Sequence, residues 1–317
     1  MKKTTKTILK VGALSALAYG ANRLVHYIAT KNNLLAEQEM QTYDWTHGKI
    51  KYRKAGKGSP IILLHDINYF GNSFEYHFAI PKLAKGHAVY ALDFLGCGQS
   101  EKPKMEYTNF LYVQMLCSFI QDVIGKKTSI VASGFSAGVA IMAQRYQPDL
   151  FDQIILTNPS DIYEIPGNKQ LEKYMAMGLE FPLFGTLAYN LLTTRKQVTK
   201  ALKKSFYDKK NCNSSIIDRF YESAHLGDAD AKYIYLSIIG NYMASNMIPA
   251  LEEMDNLTII IGEEKERGIE IASHYKRFVG HIHVYKISKT KDYPQLEAPD
   301  TFAETIKHAL AKSENSF

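Results

Sequence analysis

Cysteine is scarce in this chain: Cys97, Cys117 and Cys212 are the three among 317 residues, odd in number and widely scattered. They make no disulfide framework, and no CxxC or close Cys/His spacing suggests zinc. No G-x-G-x-x-G follows the first buried strand, which disfavours a nicotinamide or flavin dinucleotide enzyme. No metal or cofactor is expected. There is no arginine-rich motif, and a net charge of +6 is too mild to point to DNA or RNA, although it favours anionic membrane surfaces. Internal repeats and low-complexity segments are missing as well. What remains is an ordinary globular composition, 46% hydrophobic and 22% charged, in a chain long enough for two domains or for one large domain with an insertion.

The N-terminus departs from this plain picture. Lys2, Lys3, Lys6 and Lys10 precede the small apolar run Val11–Ala21, resembling the basic and hydrophobic regions of a secretory signal or signal anchor. Extending that run to the roughly 20 residues of a membrane span admits Asn22, Arg23 and His26. Three readings follow: an uncleaved anchor, a cleaved signal, or a helix lying on the bilayer or on the protein's own core. Membrane association through this segment (residues 1–35) is the expectation. If it spans, the lysine-rich end stays cytoplasmic and the main domain lies outside; otherwise the protein is cytoplasmic.

Beyond a polar connector, short apolar runs alternate with helix-length segments. Tyr43–Trp45 and Ile50–Arg53 read as a hairpin across His47-Gly48. Pro60–Leu64 and Ala88–Leu92 are continuously apolar, as strands buried on both faces of a parallel sheet must be. Ser129–Ala132, Gln153–Thr157, Leu257–Ile261 and His281–Ile287 extend the series. Helices are predicted over 73–85, 108–124 and 301–312, and after Ser136 up to Pro148. This alternation predicts an α/β fold with a doubly wound, mostly parallel sheet. The stretch 159–256 breaks it with several aromatic-rich helices, read as a cap inserted between two strands. The core is then 42–158 plus 257–317. A basic stretch in the insertion, including Lys196, Lys200 and Lys204 on one helical face, reads as a solvated face or an anionic contact.

The strongest chemical signal is Gly134-Phe135-Ser136-Ala137-Gly138, a G-x-S-x-G between a strand and a helix. Such a turn pushes a serine hydroxyl above the sheet, with backbone N–H groups and a helix dipole facing it. Leu63-Leu-His-Asp-Ile67 ends one buried strand, Asp93-Phe-Leu-Gly-Cys-Gly-Gln-Ser100 the next, and Gln295–Asp300 lies near the end. On these segments the chain resembles the α/β-hydrolase family, of the capped serine-hydrolase type, from about Ile50 to Ala311. The resemblance implies Ser136 as nucleophile and the backbone N–H groups of Ala137 and Ile67 as oxyanion donors. It also implies an ester- or acyl-containing, or other small apolar, molecule as partner. His65 and Asp93 read as loop-shaping residues that bond backbone.

Three positions depart from the family pattern. Asp292 stands where its histidine base belongs, and Lys265 where its acid belongs; the glycine of the oxyanion loop is Asp66. Aspartate, with an ordinary pKa of about 3.9, is a far weaker base than imidazole. Loss of the histidine from a serine triad lowers turnover on the order of a million-fold. Among other histidines, only His225 in the insertion is given a route to Ser136. Lys265 and Asp292 are expected to form an ion pair. Two functions follow: a serine hydrolase by resemblance, or a non-catalytic relative that binds a small apolar or lipid-like ligand, or a partner at the membrane.

Overall fold

The computed structural model describes residues 2–37, 39–163 and 169–314. Residues 1, 38, 164–168 and 315–317, at the edges or inside segments named above, lie outside the described residues.

The strands are β1 (Gln41–Trp45), β2 (Gly48–Ala55), β3 (Ser59–Leu64), β4 (His87–Leu92), β5 (Thr128–Ser133), β6 (Phe151–Thr157), β7 (Asn256–Gly262) and β8 (His281–Ile287). They form one sheet in the order β1-β2-β4-β3-β5-β6-β7-β8. The hairpin closes Trp45 onto Gly48, β2 runs antiparallel to β4, and every later pairing is parallel. Pro60–Leu64 of β3 and Ala88–Leu92 of β4 are apolar at every position because both faces are covered. Ile61 and Leu63 point into one hydrophobic cluster, Ile62 and Leu64 into the other, as the two-residue period of a strand requires. β3 is flanked by β4 and β5, so the strand order reverses there. In open α/β sheets the crevice outside the carboxyl ends of such strands is where sites are built.

The helices are α1 (Lys2–Thr30), α2 (Ile80–Leu83), α3 (Asn109–Phe119) and α4 (Ser136–Tyr146), then α5 (Lys169–Glu180), α6 (Phe184–Leu192), α7 (Arg195–Ser205), α8 (Ser214–His225), α9 (Lys232–Ile239) and α10 (Ile248–Leu251). After β7 come α11 (Gly268–Tyr275), α12 (Pro294–Glu297) and α13 (Pro299–Glu314). The helix expected over 73–85 is two short pieces, a 3-10 turn at Ser73–Tyr76 and then α2. Pro81, which lacks an N–H and crowds the preceding turn, is tolerated only at the start of a new helix.

Helices α5 to α10 fall between β6 and β7. Thr194 and Asn213 cap α7 and α8 by accepting from Gln197 N and Ile216 N. Val198, Leu202, Phe206, Ile216 and Phe220 of that pair pack on Phe70 and Phe74, beyond β3, and on Tyr293, beyond β8. They therefore sit over loops at the C-terminal edge of the sheet. No helix among the described residues is long and apolar enough to cross a membrane. The second half of α1 packs against α6 and α8.

Candidate functional site

β5 ends at Ser133, and the sharp turn into α4 is made by Gly134, whose φ of +55° lies in the left-handed region. Its N–H donates to Thr157 O at the end of β6 (3.1 Å), so the neighbouring strand fixes where the turn falls. Ser136 comes two residues later, in the first turn of α4, and is completely buried. Its hydroxyl faces Ser133 O at 2.7 Å and Leu64 O at 3.1 Å and donates to these carbonyls beneath the turn. A nucleophile elbow centred on Ser136 would expose this hydroxyl above the turn; here it is buried beneath the turn. Ala137 N–H, expected as an oxyanion donor, bonds Gly134 O (3.3 Å), and Ile67 is a buried core residue.

The space beside the turn holds a carboxylate. Asp66 Oδ1 accepts from Phe135 N–H at 2.8 Å and Oδ2 accepts from Asn68 Nδ2 at 3.1 Å. A Cβ built on Gly134 would lie 2.1 Å from Asp66 Oδ1, so the Asp66 side chain occupies the volume that any side chain at the turn would need. The first N–H after the apex, the group this fold aims at a developing oxyanion, is already satisfied by an internal carboxyl oxygen. Burial pushes the Asp66 pKa up, opposed by the Phe135 N–H, Asn68, His65 and Lys265.

Beneath it, Glu75 is fully buried. Its Oε2 accepts from Asp66 N–H (3.1 Å) and its Oε1 from Gln295 Nε2 (2.6 Å). Burial, and then the nearby Asp66 charge, raise its pKa to about 8, so it is protonated at neutral pH. His65 is locked in one tautomer: its Nε2 accepts from Phe94 N–H (3.1 Å), which leaves Nδ1 to donate to Asp66 O (2.8 Å). Asp93 accepts from Ser73 N–H and Gln99 N–H, both at 2.7 Å. Both residues shape loops by bonding backbone.

On the far side of the apex, Lys265 Nζ stands 2.8 Å from Asp292 Oδ1, each side chain 26% exposed. The loops that carry them are tied by Asn158, just beyond β6. Its Nδ2 donates to Lys291 O (2.9 Å) and Asp292 O (3.1 Å), and its Oδ1 accepts from Gly262 N–H (3.0 Å). His225 is buried, with Nδ1 at Tyr221 O (2.9 Å) and Nε2 at Thr193 Oγ1 (3.4 Å); it does not touch Ser136. Burial lowers its pKa to about 4. A histidine–carboxylate pair does exist after β6, where His274 Nδ1 lies 2.8 Å from Asp161 Oδ1, but Arg267 also holds Asp161 (3.1 Å). No serine or cysteine side chain is among their described partners. Among the described residues no group of three or more His, Cys, Asp or Glu side chains could hold a metal ion.

The sequence reading found Asp66, Lys265 and Asp292 but missed Gly134 as the apex, and Glu75, Gln295 and Asn158 as its supports. Gln295 and Glu75 are 220 residues apart, so no local pattern could have joined them.

The alpha/beta hydrolase fold family profile matches residues 59–200. An uncharacterized protein of Mycobacterium tuberculosis is 32% identical over 111 residues, which is 35% of this chain and 32% of that protein. The 2-hydroxy-6-oxo-6-(2'-aminophenyl)hexa-2,4-dienoic acid hydrolase of Metapseudomonas resinovorans is 32% identical over 108 residues, 33% of this chain and 37% of that enzyme. The matched stretch thus spans only about a third of the length of these curated relatives. Among solved structures, a serine hydrolase involved in carbazole degradation superimposes with a TM-score of 0.72 at 19% identity, covering 86% of this chain and 98% of that one. With the strand order, the helices on both faces and the strand–turn–helix apex, these likenesses show that the chain has the α/β-hydrolase fold.

Proposed function

We propose that this protein is a non-hydrolytic relative of the esterases and meta-cleavage product hydrolases it resembles, acting as a binding module for a small apolar or acyl-bearing molecule. The observation that carries this reading is Asp66: its carboxylate fills the space beside Gly134 and holds the Phe135 N–H. A hydrolase of this fold needs a side-chain nucleophile at the apex and an empty oxyanion site. Here the apex is a glycine and the anion site is filled from within. The base and acid positions carry Asp292 and Lys265, which neutralise each other rather than activating a hydroxyl. Ser136 offers no second route, because its hydroxyl is committed to two carbonyls and sealed from solvent.

A hollow of about 510 Å³ between α3, α4 and residues 242–245 supports the binding role. Phe110, Val113, Met142, Tyr146 and Tyr242 line it, with Asn109 and Ser245 as polar contacts. Its size and apolar walls suit a small ligand oriented by a few polar groups.

The test is turnover of a short-chain activated ester. The native protein and Ser136→Ala should be equally inert, whereas Ser136-dependent turnover with an initial burst would overturn the proposal. The variant Gly134→Ser with Asp66→Gly, Lys265→Asp and Asp292→His should gain measurable esterase activity, because it restores nucleophile, open oxyanion site, acid and base together.

A further inference from the structure

Helix α1 has two unlike halves. The second is built into the molecule: Ala18, Asn22 and Ala29 are buried, and Asn22 donates to Leu183 O (3.1 Å) and accepts from Asn190 Nδ2 (3.0 Å). Arg23 pairs with Asp228 at 2.6 Å, and His26 bonds His225 O at 3.0 Å. The first half lies on the surface. Ile8, Leu9, Val11, Leu14 and Leu17 are each more than half exposed.

The adjoining helices continue this surface. α6 packs against both α1 and α5. Tyr174 and Met177 of α5, Phe181 just after it, and Phe184, Leu191 and Leu192 of α6 are also exposed. Monomeric soluble proteins rarely leave so many large apolar side chains together in water, so this surface marks a contact.

Charge selects the occupant. Lys6 and Lys10 stand among the exposed apolar residues, Lys2 and Lys3 precede them, and the first carboxylate in the chain is Glu37. A second copy would bring lysine-bearing arms together with no acidic side chain on either to match them. A bilayer surface with anionic headgroups meets both demands at once, taking the apolar residues into the acyl boundary and the amines onto phosphates. No helix among the described residues is long and apolar enough to cross a membrane, so the mode is docking at the surface. We propose that the exposed N-terminal half of α1, with the exposed apolar residues of α5 and α6, docks this protein onto an anionic lipid surface without crossing it.

Co-sedimentation of the full chain with vesicles tests this, comparing phosphatidylcholine alone with phosphatidylcholine plus phosphatidylglycerol. The protein should pellet with the anionic vesicles and much less with the neutral ones. Leu9→Glu with Leu14→Glu should weaken that partition by about tenfold or more, since each leucine loses its apolar transfer. Lys6→Glu with Lys10→Glu should weaken it for anionic vesicles only. These side chains are exposed, so melting of both variants should match the native protein. Failure to pellet with either vesicle, or equal pelleting with both, overturns the proposal. So does self-association that Leu9→Glu with Leu14→Glu abolishes while vesicle binding is absent, because a second copy would then be the occupant.

Discussion

The two sides of the closed centre are held by different physics. At the ends of β3 and β5, hydrogen bonds join Asp66, Glu75, Gln295 and the Phe135 N–H, with Glu75 and Gln295 wholly buried and Asp66 partly so. At the ends of β7 and β8, Lys265 and Asp292 form an ion pair a quarter exposed to water. The first side is intolerant, because a buried polar group that loses its partner keeps its full desolvation penalty. The second is forgiving, because solvent screens each charge and replaces the lost partner. A binding module can vary its half-exposed rim more freely than its sealed floor.

That contrast can be broken most forcefully at the apex. Gly134→Ser should cost at least about 3 kcal/mol in urea denaturation: the left-handed backbone alone costs about 1–2 kcal/mol, and the added Cβ collides with Asp66. Adding Asp66→Gly should recover the larger part. A single variant as stable as the native protein would mean that Asp66 does not fill that space.

Glu75 gives the next largest effect. Its folded pKa of about 8 lies above the ordinary 4.5, so between these values the folded protein keeps a proton that the unfolded chain has released. Its contribution to stability is therefore full below the lower value, declines as pH rises, and levels off above the higher one. Glu75→Gln should remove that slope and stabilise the protein at pH 7 by about 1–3 kcal/mol, read from denaturation across pH. An unchanged slope would show that Glu75 ionises freely.

The smallest effect belongs to the other side. A double-mutant cycle with Lys265→Met and Asp292→Asn should give a coupling of about 0.5–1 kcal/mol, falling with salt. A coupling several times larger and indifferent to salt would put this pair in the same dehydrated class as Glu75, and the contrast would collapse.

Much of this was legible in the sequence. Pro60–Leu64 and Ala88–Leu92 are apolar throughout because both faces of β3 and β4 are covered, and such runs carry their own signature. The Lys265–Asp292 pair was readable because two positions that should hold an acid and its histidine held opposite charges in reverse order. Asp66 was visible as a carboxylate in a loop that should welcome negative charge. The register of the turn was not. Ser133, Gly134 and Ser136 are all small, and G-x-S-x-G fits the pentapeptide whichever residue forms the apex. The left-handed residue is decided by where β5 ends, and that is set by pairing of Ser133 with Thr157 on β6. No window of local sequence contains that partner.

No serine among the described residues is poised to attack an acyl or phosphonyl group. Intact-mass measurement after incubation with a fluorophosphonate at neutral pH tests it most directly, with peptide mapping of any adduct. The closed apex predicts unmodified protein over times that fully label an active serine hydrolase. Rapid addition of one phosphonyl group, mapped to Ser136 and lost in Ser136→Ala, would contradict it.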